Sequence, residues 1–147
     1  LNNLIELVPL MLTDFLVNVV NADSFNTSFQ GTVTYHDSCA GLRELGIKDQ
    51  PRKLLRTLPH VELKEMSGAE QCCGFGGTFS VKYGDISSRI VDLKCDDLES
   101  TEADAVVLGD LGCMLNIEGK LRRRGNHKTK VLHIAEVLTG RNGEEAE

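Results

Sequence analysis

The chain has 147 residues and a net charge of −6, which argues against a dedicated nucleic-acid binder. One domain of this length buries roughly 68–70% of its unfolded surface, so neither disulfides nor metal are needed merely to fold it. Five cysteines, an odd number, without a visible signal peptide argue against a secreted disulfide framework and point to a reducing compartment, with the cytoplasm as the expected location. No apolar run is long enough to span a bilayer, because Glu6, Asp14 and Asn18 interrupt the most hydrophobic stretch.

Residues 1–20 read as a leading apolar helix. Leu4, Val8, Met11, Leu12, Phe15, Leu16 and Val19 recur at helical spacing, and Leu10, Val17 and Val20 widen the apolar surface towards a second packing face. The chain begins at a leucine inside this pattern, as expected of a piece of a longer protein. Gly31-Thr32-Val33-Thr34-Tyr35 reads as a strand and leads into His36-Asp37-Ser38-Cys39. Pro51 opens a helix through Leu54, Leu55 and Leu58, and Pro59 marks its stop. Val61 to Lys64 is a second strand, and seven more residues bring the chain to Cys72-Cys73-Gly74-Phe75-Gly76-Gly77. Thr78-Phe79-Ser80 starts a further helix. A long helix over residues 85–99 takes Ile86, Ile90 and Leu93 as its core stripe, with Val91, Cys95 and Leu98 beside them.

Asp104 to Gly109 is a third strand, of the continuously apolar kind covered on both faces. It delivers Asp110-Leu111-Gly112-Cys113, then a helix over 114–124 stopped by Gly125. Thr129 to Leu132 is a fourth strand, His133 to Leu138 a closing helix, and 140–147 an acidic tail expected to be disordered. Strands alternating with helices predict a single α/β domain over 1–139, with a mainly parallel sheet of about four strands and helices on both faces.

In such a sheet, sites form beyond the carboxyl ends of the strands. Cys39, Cys72, Cys73 and Cys113 all follow strand ends and are expected at that rim, where glycine turns aim neighbouring thiols at one point. Thiolates brought together in this way suit a metal or an iron–sulfur cluster. Cys95 lies at helical spacing with Val91 and Leu98 and reads as core packing. His36 and His133 end strands on the same rim, as helix caps, partners of loop carbonyls, hydrogen-bond donors to a sulfur or extra ligands. Asp37 and Asp110 read as helix caps or turn formers. Lys120, Arg122, Arg123, Arg124, His127, Lys128 and Lys130 form the one basic run, either a solvated helix end or a docking patch for an acidic partner.

The strings Tyr35-His36-Asp37-Ser38-Cys39, Cys72 to Ser80, Gly112-Cys113-Met114-Leu115-Asn116 and His133 to Leu138 together resemble the cysteine-rich CCG domain. That family includes the B subunit of heterodisulfide reductase and the iron–sulfur subunit of glycolate oxidase, and the likeness is greatest to its lactate-utilisation branch. The resemblance covers nearly the whole chain, which looks like the second of two such domains. It implies an electron-transfer part of an oxidoreductase that helps oxidise L-lactate to pyruvate in the bacterial cytoplasm, with other iron–sulfur subunits as partners. It also implies an iron–sulfur cluster, of the 4Fe-4S type, held by Cys39, Cys72, Cys73 and Cys113. The family pattern ends in Cys-x-x-Cys, but here the last position is Asn116, which removes a fifth thiolate.

The competing function is a structural zinc-binding or subunit-docking domain with no redox role of its own. A thiol oxidoreductase is disfavoured, because adjacent cysteines close a strained ring. A nucleotide site at Gly74 to Gly77 lacks the dinucleotide fingerprint. Handled in air, the domain is expected to be empty or to hold zinc.

Overall fold

The computed structural model describes residues 11–140. The elements run in chain order as α1 (Leu12–Asp14), β1 (Gly31–Tyr35), α2 (Asp49–Arg56), β2 (Val61–Leu63), α3 (Thr78–Lys82), α4 (Gly84–Ser100), β3 (Ala105–Leu108), α5 (Leu111–Arg123), β4 (Lys130–His133) and α6 (Ile134–Thr139). Residues 1–10 of the leading helix and 141–147 of the tail lie outside the described residues. Gly140 is the left-handed cap of α6. Among the described residues no helix is long and apolar enough to cross a membrane.

All four strands are parallel, in the order β2-β1-β3-β4. The central strand β3 is buried along its length, as its unbroken apolar run requires. Its side chains alternate between two cores. Ala105 and Val107 join Val33 and Tyr35 of β1 with Leu54 and Leu55 of α2 and Val137 and Leu138 of α6. Val106 and Leu108 join Val91, Cys95 and Leu98 of α4 and Ile117 and Leu121 of α5 on the other face. The chain steps outward from β1 to β2, then crosses back and steps outward the other way from β3 to β4. The reversal falls between β1 and β3, so the crevice beyond their carboxyl ends is where a site belongs.

The face of α4 differs from the expected one. Ile86 and Leu93 are exposed, and the buried stripe is Ser87, Val91, Lys94, Cys95 and Leu98. The inward face carries polar groups because it serves loop carbonyls: Ser87 Oγ donates to Gly74 O at 2.7 Å, and Lys94 Nζ donates to Gly68 O. Hydrophobicity alone therefore selects the wrong stripe. Cys95 is core, as its spacing indicates, and burial pushes its thiol up to about 11.

The leading helix departs in a similar way. Thr13 and Val17 are buried, while Leu12, Phe15 and Val19 are exposed. After α1 the chain enters a π-helical turn, Phe15–Val19, whose longer hydrogen-bonded ring breaks the 3.6-residue period behind the expected stripe.

The basic run is largely engaged within the molecule. Lys120 meets Asp92 at 2.7 Å, Arg122 meets Glu118 at 3.2 Å, and Arg124 reaches Asp96 at 2.5 Å and Glu99 at 3.0 Å. Lys120 and Arg124 tie α5 and its cap to α4, Arg122 braces α5 itself, and each of these partly exposed pairs contributes about 0–1 kcal/mol.

The face assignment of α4 is directly testable. Leu98→Ala is expected to cost about 2–5 kcal/mol in urea unfolding, as for a buried leucine. Leu93→Ala on the outer face should stay within about 0.5 kcal/mol of the parent. Equal losses at both positions would contradict the observed rotation of the helix.

Candidate metal centre

Strand alternation decides what faces the crevice. Tyr35 belongs to the first core, so His36 points to the other face, where Cys73 and Cys113 lie. The His36 amide extends the β1–β3 ladder to Val107 O at 3.0 Å, and the Asp37 amide binds Ala69 O at 3.0 Å. His36 is fully buried.

Asp37 then points back over α2, where it meets Arg52. Nη1 and Nη2 donate to its two oxygens at 2.8 and 2.7 Å, and the Asp37 side chain has no exposed surface. The guanidinium also binds Glu65 at 2.7 Å through Nε, donates to Lys48 O at 2.7 Å, and lies 5.3 Å over the Tyr35 ring. Burial works against the Arg52 cation, but its bonds to Asp37 and Glu65 outweigh burial and raise its basicity. Asp37 is therefore an ion-pair partner, not the cap or turn former expected. Its partner lies fifteen residues away on a helix, beyond the reach of local pattern reading.

The turn after Cys73 depends on glycine. Gly74 has φ +81, and a Cβ there would sit 2.7 Å from Ser87 O. Phe75 packs on Gly112, where a Cβ would lie 2.5 Å from its ring. The CCG turn and the start of α5 thus lock together. Asp110 caps α5 as expected, its Oδ1 accepting from Cys113 N at 2.9 Å. Asn116 stands one helical turn after Cys113 and donates through Nδ2 to Cys73 O at 2.8 Å.

The sulfurs of Cys73 and Cys113 are 2.8 Å apart and buried. The contact with Cys113, helped by the neighbouring His36 imidazole, draws Cys73 down to about 5 against the effect of burial. Cys113 is driven upward by the same contact and by burial. His36 Nδ1 or Nε2, Cys73 Sγ and Cys113 Sγ all lie within 4.8 Å of one another. Cys39 and Cys72 are half-buried. The Cys39 thiol is raised, first by burial and then by the adjacent Cys72 sulfur, with Cys73 a weaker neighbour. The four rim cysteines thus form a buried inner pair beside His36 and a more open outer pair.

His133 is not at this centre. It caps α6, its Nδ1 accepting from Ala135 N at 3.1 Å while Glu136 receives its amide at 2.7 Å. Lys94, missed in the sequence, is buried beneath the loop before Cys72, and desolvation lowers its pKa. Its signal was its place between Val91 and Cys95 on the buried stripe, which only the helix rotation reveals.

The donor set fits a thiophilic metal or cluster: thiols from three loops, one already acidic, and a buried imidazole whose two nitrogens lack any backbone or oxygen partner. Fold and rim together define a class, an α/β domain whose cysteines gather beyond the carboxyl ends of a parallel sheet. The family model of the CCG cysteine-rich domain matches residues 33–118, and the chain belongs to that family. Lactate utilization protein A of Geobacillus kaustophilus is 49% identical over 131 residues, 89% of this chain and 54% of that protein. The protein of the same name from Oceanobacillus iheyensis is 45% identical over 133 residues, 90% of this chain and 54% of its own length. Lactate utilization protein A 2 of Bacillus cereus is 46% identical over 127 residues, 86% and 52% respectively. The chain spans about half the length of the curated relatives it matches. No solved structure matches it.

Removing one partner of the Asp37–Arg52 pair leaves a buried charge without its counter-ion. Arg52→Met is expected to cost about 3–5 kcal/mol in urea unfolding, and the double variant Asp37→Leu/Arg52→Met to recover most of the loss. A double variant no more stable than Arg52→Met would contradict this account of the pair.

Proposed function

We propose that the chain is an electron-transfer domain that binds an iron–sulfur cluster through Cys39, Cys72, Cys73 and Cys113. The carrying observation is the buried contact of Cys73 with Cys113 at 2.8 Å, with the Cys39 and Cys72 thiols on adjoining loops of the same rim. Membership of the CCG family and the names of the relatives support a role in lactate utilisation. On this reading it works in the cytoplasm within a complex that oxidises L-lactate to pyruvate, with other iron–sulfur subunits as partners.

A cluster of the 4Fe-4S type, when bound, supplies one-electron transfer. The chain's residues supply everything else. Cys73 and Cys113 lie out of water, where fixed dipoles and charges act with little screening. Asn116 holds the carbonyl of Cys73, and the Gly112–Phe75 contact sets the spacing of the two loops. The Asp37–Arg52–Glu65 bonds fix the loop that carries Cys39 against the one that leads to Cys72. Cys39 and Cys72, less buried, form the side from which a partner subunit reaches the site.

Four thiolates also suit tetrahedral zinc, and the purified protein separates the readings. Prepared without oxygen and reconstituted with ferrous iron and sulfide, it should show the visible absorption of a cluster and bind up to four irons. Cys73→Ala should lose most of that iron, whereas Cys95→Ala should retain it. A colourless protein that takes up one zinc and no iron under these conditions would refute the electron-transfer role.

A further inference from the structure

His36 has no structural use for its ring. It is fully buried, no backbone group or oxygen reaches Nδ1 or Nε2, and the polar group that acts on the ring is the Cys73 thiol. A neutral imidazole carries one donor and one acceptor, and leaving a buried polar group unpaired costs about 1–3 kcal/mol. Its backbone is held on both sides, by Val107 O and by Ala69 O, so the ring cannot swing to water without breaking the end of the ladder. The ring instead faces two sulfurs, with a nitrogen within 4.8 Å of both.

The residue at the family's missing thiolate position is engaged elsewhere. Asn116 uses its amide N–H group on Cys73 O, and an amide is a poor ligand for iron in any case. Any donor beyond the four thiolates therefore comes from another residue. Resting on the metal-centre reading above, we propose that His36 is that donor: one ring nitrogen ligates the metal alongside Cys73 and Cys113, giving a mixed nitrogen–sulfur centre. Imidazole suits both iron and zinc, and it accepts a metal without losing a proton when neutral. A neutral imidazole where a fifth thiolate would otherwise stand leaves the centre one negative charge fewer and so favours its reduced form, as in two-iron centres with histidine ligands.

The test uses the 147-residue chain labelled with nitrogen-15 in histidine and reconstituted anaerobically with ferrous iron and sulfide. Pulsed electron paramagnetic resonance of the reduced centre should show a directly bound nitrogen. His36→Ala should abolish that coupling, and His36→Cys should keep the iron and shift the reduction potential downward. A cluster with no bound nitrogen in the unaltered chain, or a coupling that survives in His36→Ala, would overturn the inference while leaving the iron–sulfur reading intact. A second arm loads cobalt(II) alone and counts ligands by X-ray absorption. If no cluster forms but cobalt is bound by sulfur and one nitrogen that His36→Ala removes, the iron–sulfur reading fails and His36 stands as a ligand. An all-sulfur cobalt shell, or a chain that binds neither iron nor cobalt, would overturn the assignment of His36 as well.

Discussion

A carboxylate with no exposed surface persists as an ion only where a fixed cation meets it, and at the rim of this sheet Asp37 meets Arg52 through two parallel bonds. The pair joins more than two residues. Arg52 stands on α2, Asp37 on the loop after β1, and Glu65 on the loop after β2, so one guanidinium ties a helix to two loops that deliver cysteines. The planar fork also rests over Tyr35, at the end of the strand that feeds the site. Lysine would provide the charge but neither the fork nor the stacking surface.

From that anchor the centre is built by alternation and close approach. Consecutive residues at the end of β1 diverge, Tyr35 into one core, His36 towards the sulfurs and Asp37 back to the arginine. On the opposite side of the crevice, Phe75 against Gly112 sets how near the CCG turn comes to α5. The result is a graded site, with Cys73, Cys113 and His36 shut away from water and Cys39 and Cys72 nearer the surface.

The strands and the rim were legible in the sequence because both depend on local signals. The β-branched run of β1 and the apolar run of β3 fall where expected, and the rim follows from cysteines placed just past strand ends. Facing and partnership were less legible. The buried stripe of α4 contains Ser87 and Lys94, whose inward direction follows from carbonyls in a distant turn. Arg52 reads as an ordinary helix-surface residue until β1 ends above it. His36 is visible as a strand-end histidine, but the lack of any backbone or oxygen partner for its ring is a property of the assembled interior. Asn116 reads as a lost ligand, and only the fold shows the carbonyl it holds.

The strand order also governs the centre during synthesis. β1 pairs with β3 across the intervening β2 and α4, so the crevice cannot close until β3 and the start of α5 have been made. Cys73 and Cys113 are 40 residues apart. At about 5–20 residues per second, the ribosome leaves the CCG thiols without their partner for about 2–8 s, longer once the exit tunnel is counted. For that interval the nascent chain presents adjacent cysteines on an unfinished sheet. Closure of the crevice is thus a late step that completes the sheet and the donor set together. Metal that binds the finished centre draws the folding equilibrium towards the native state by mass action.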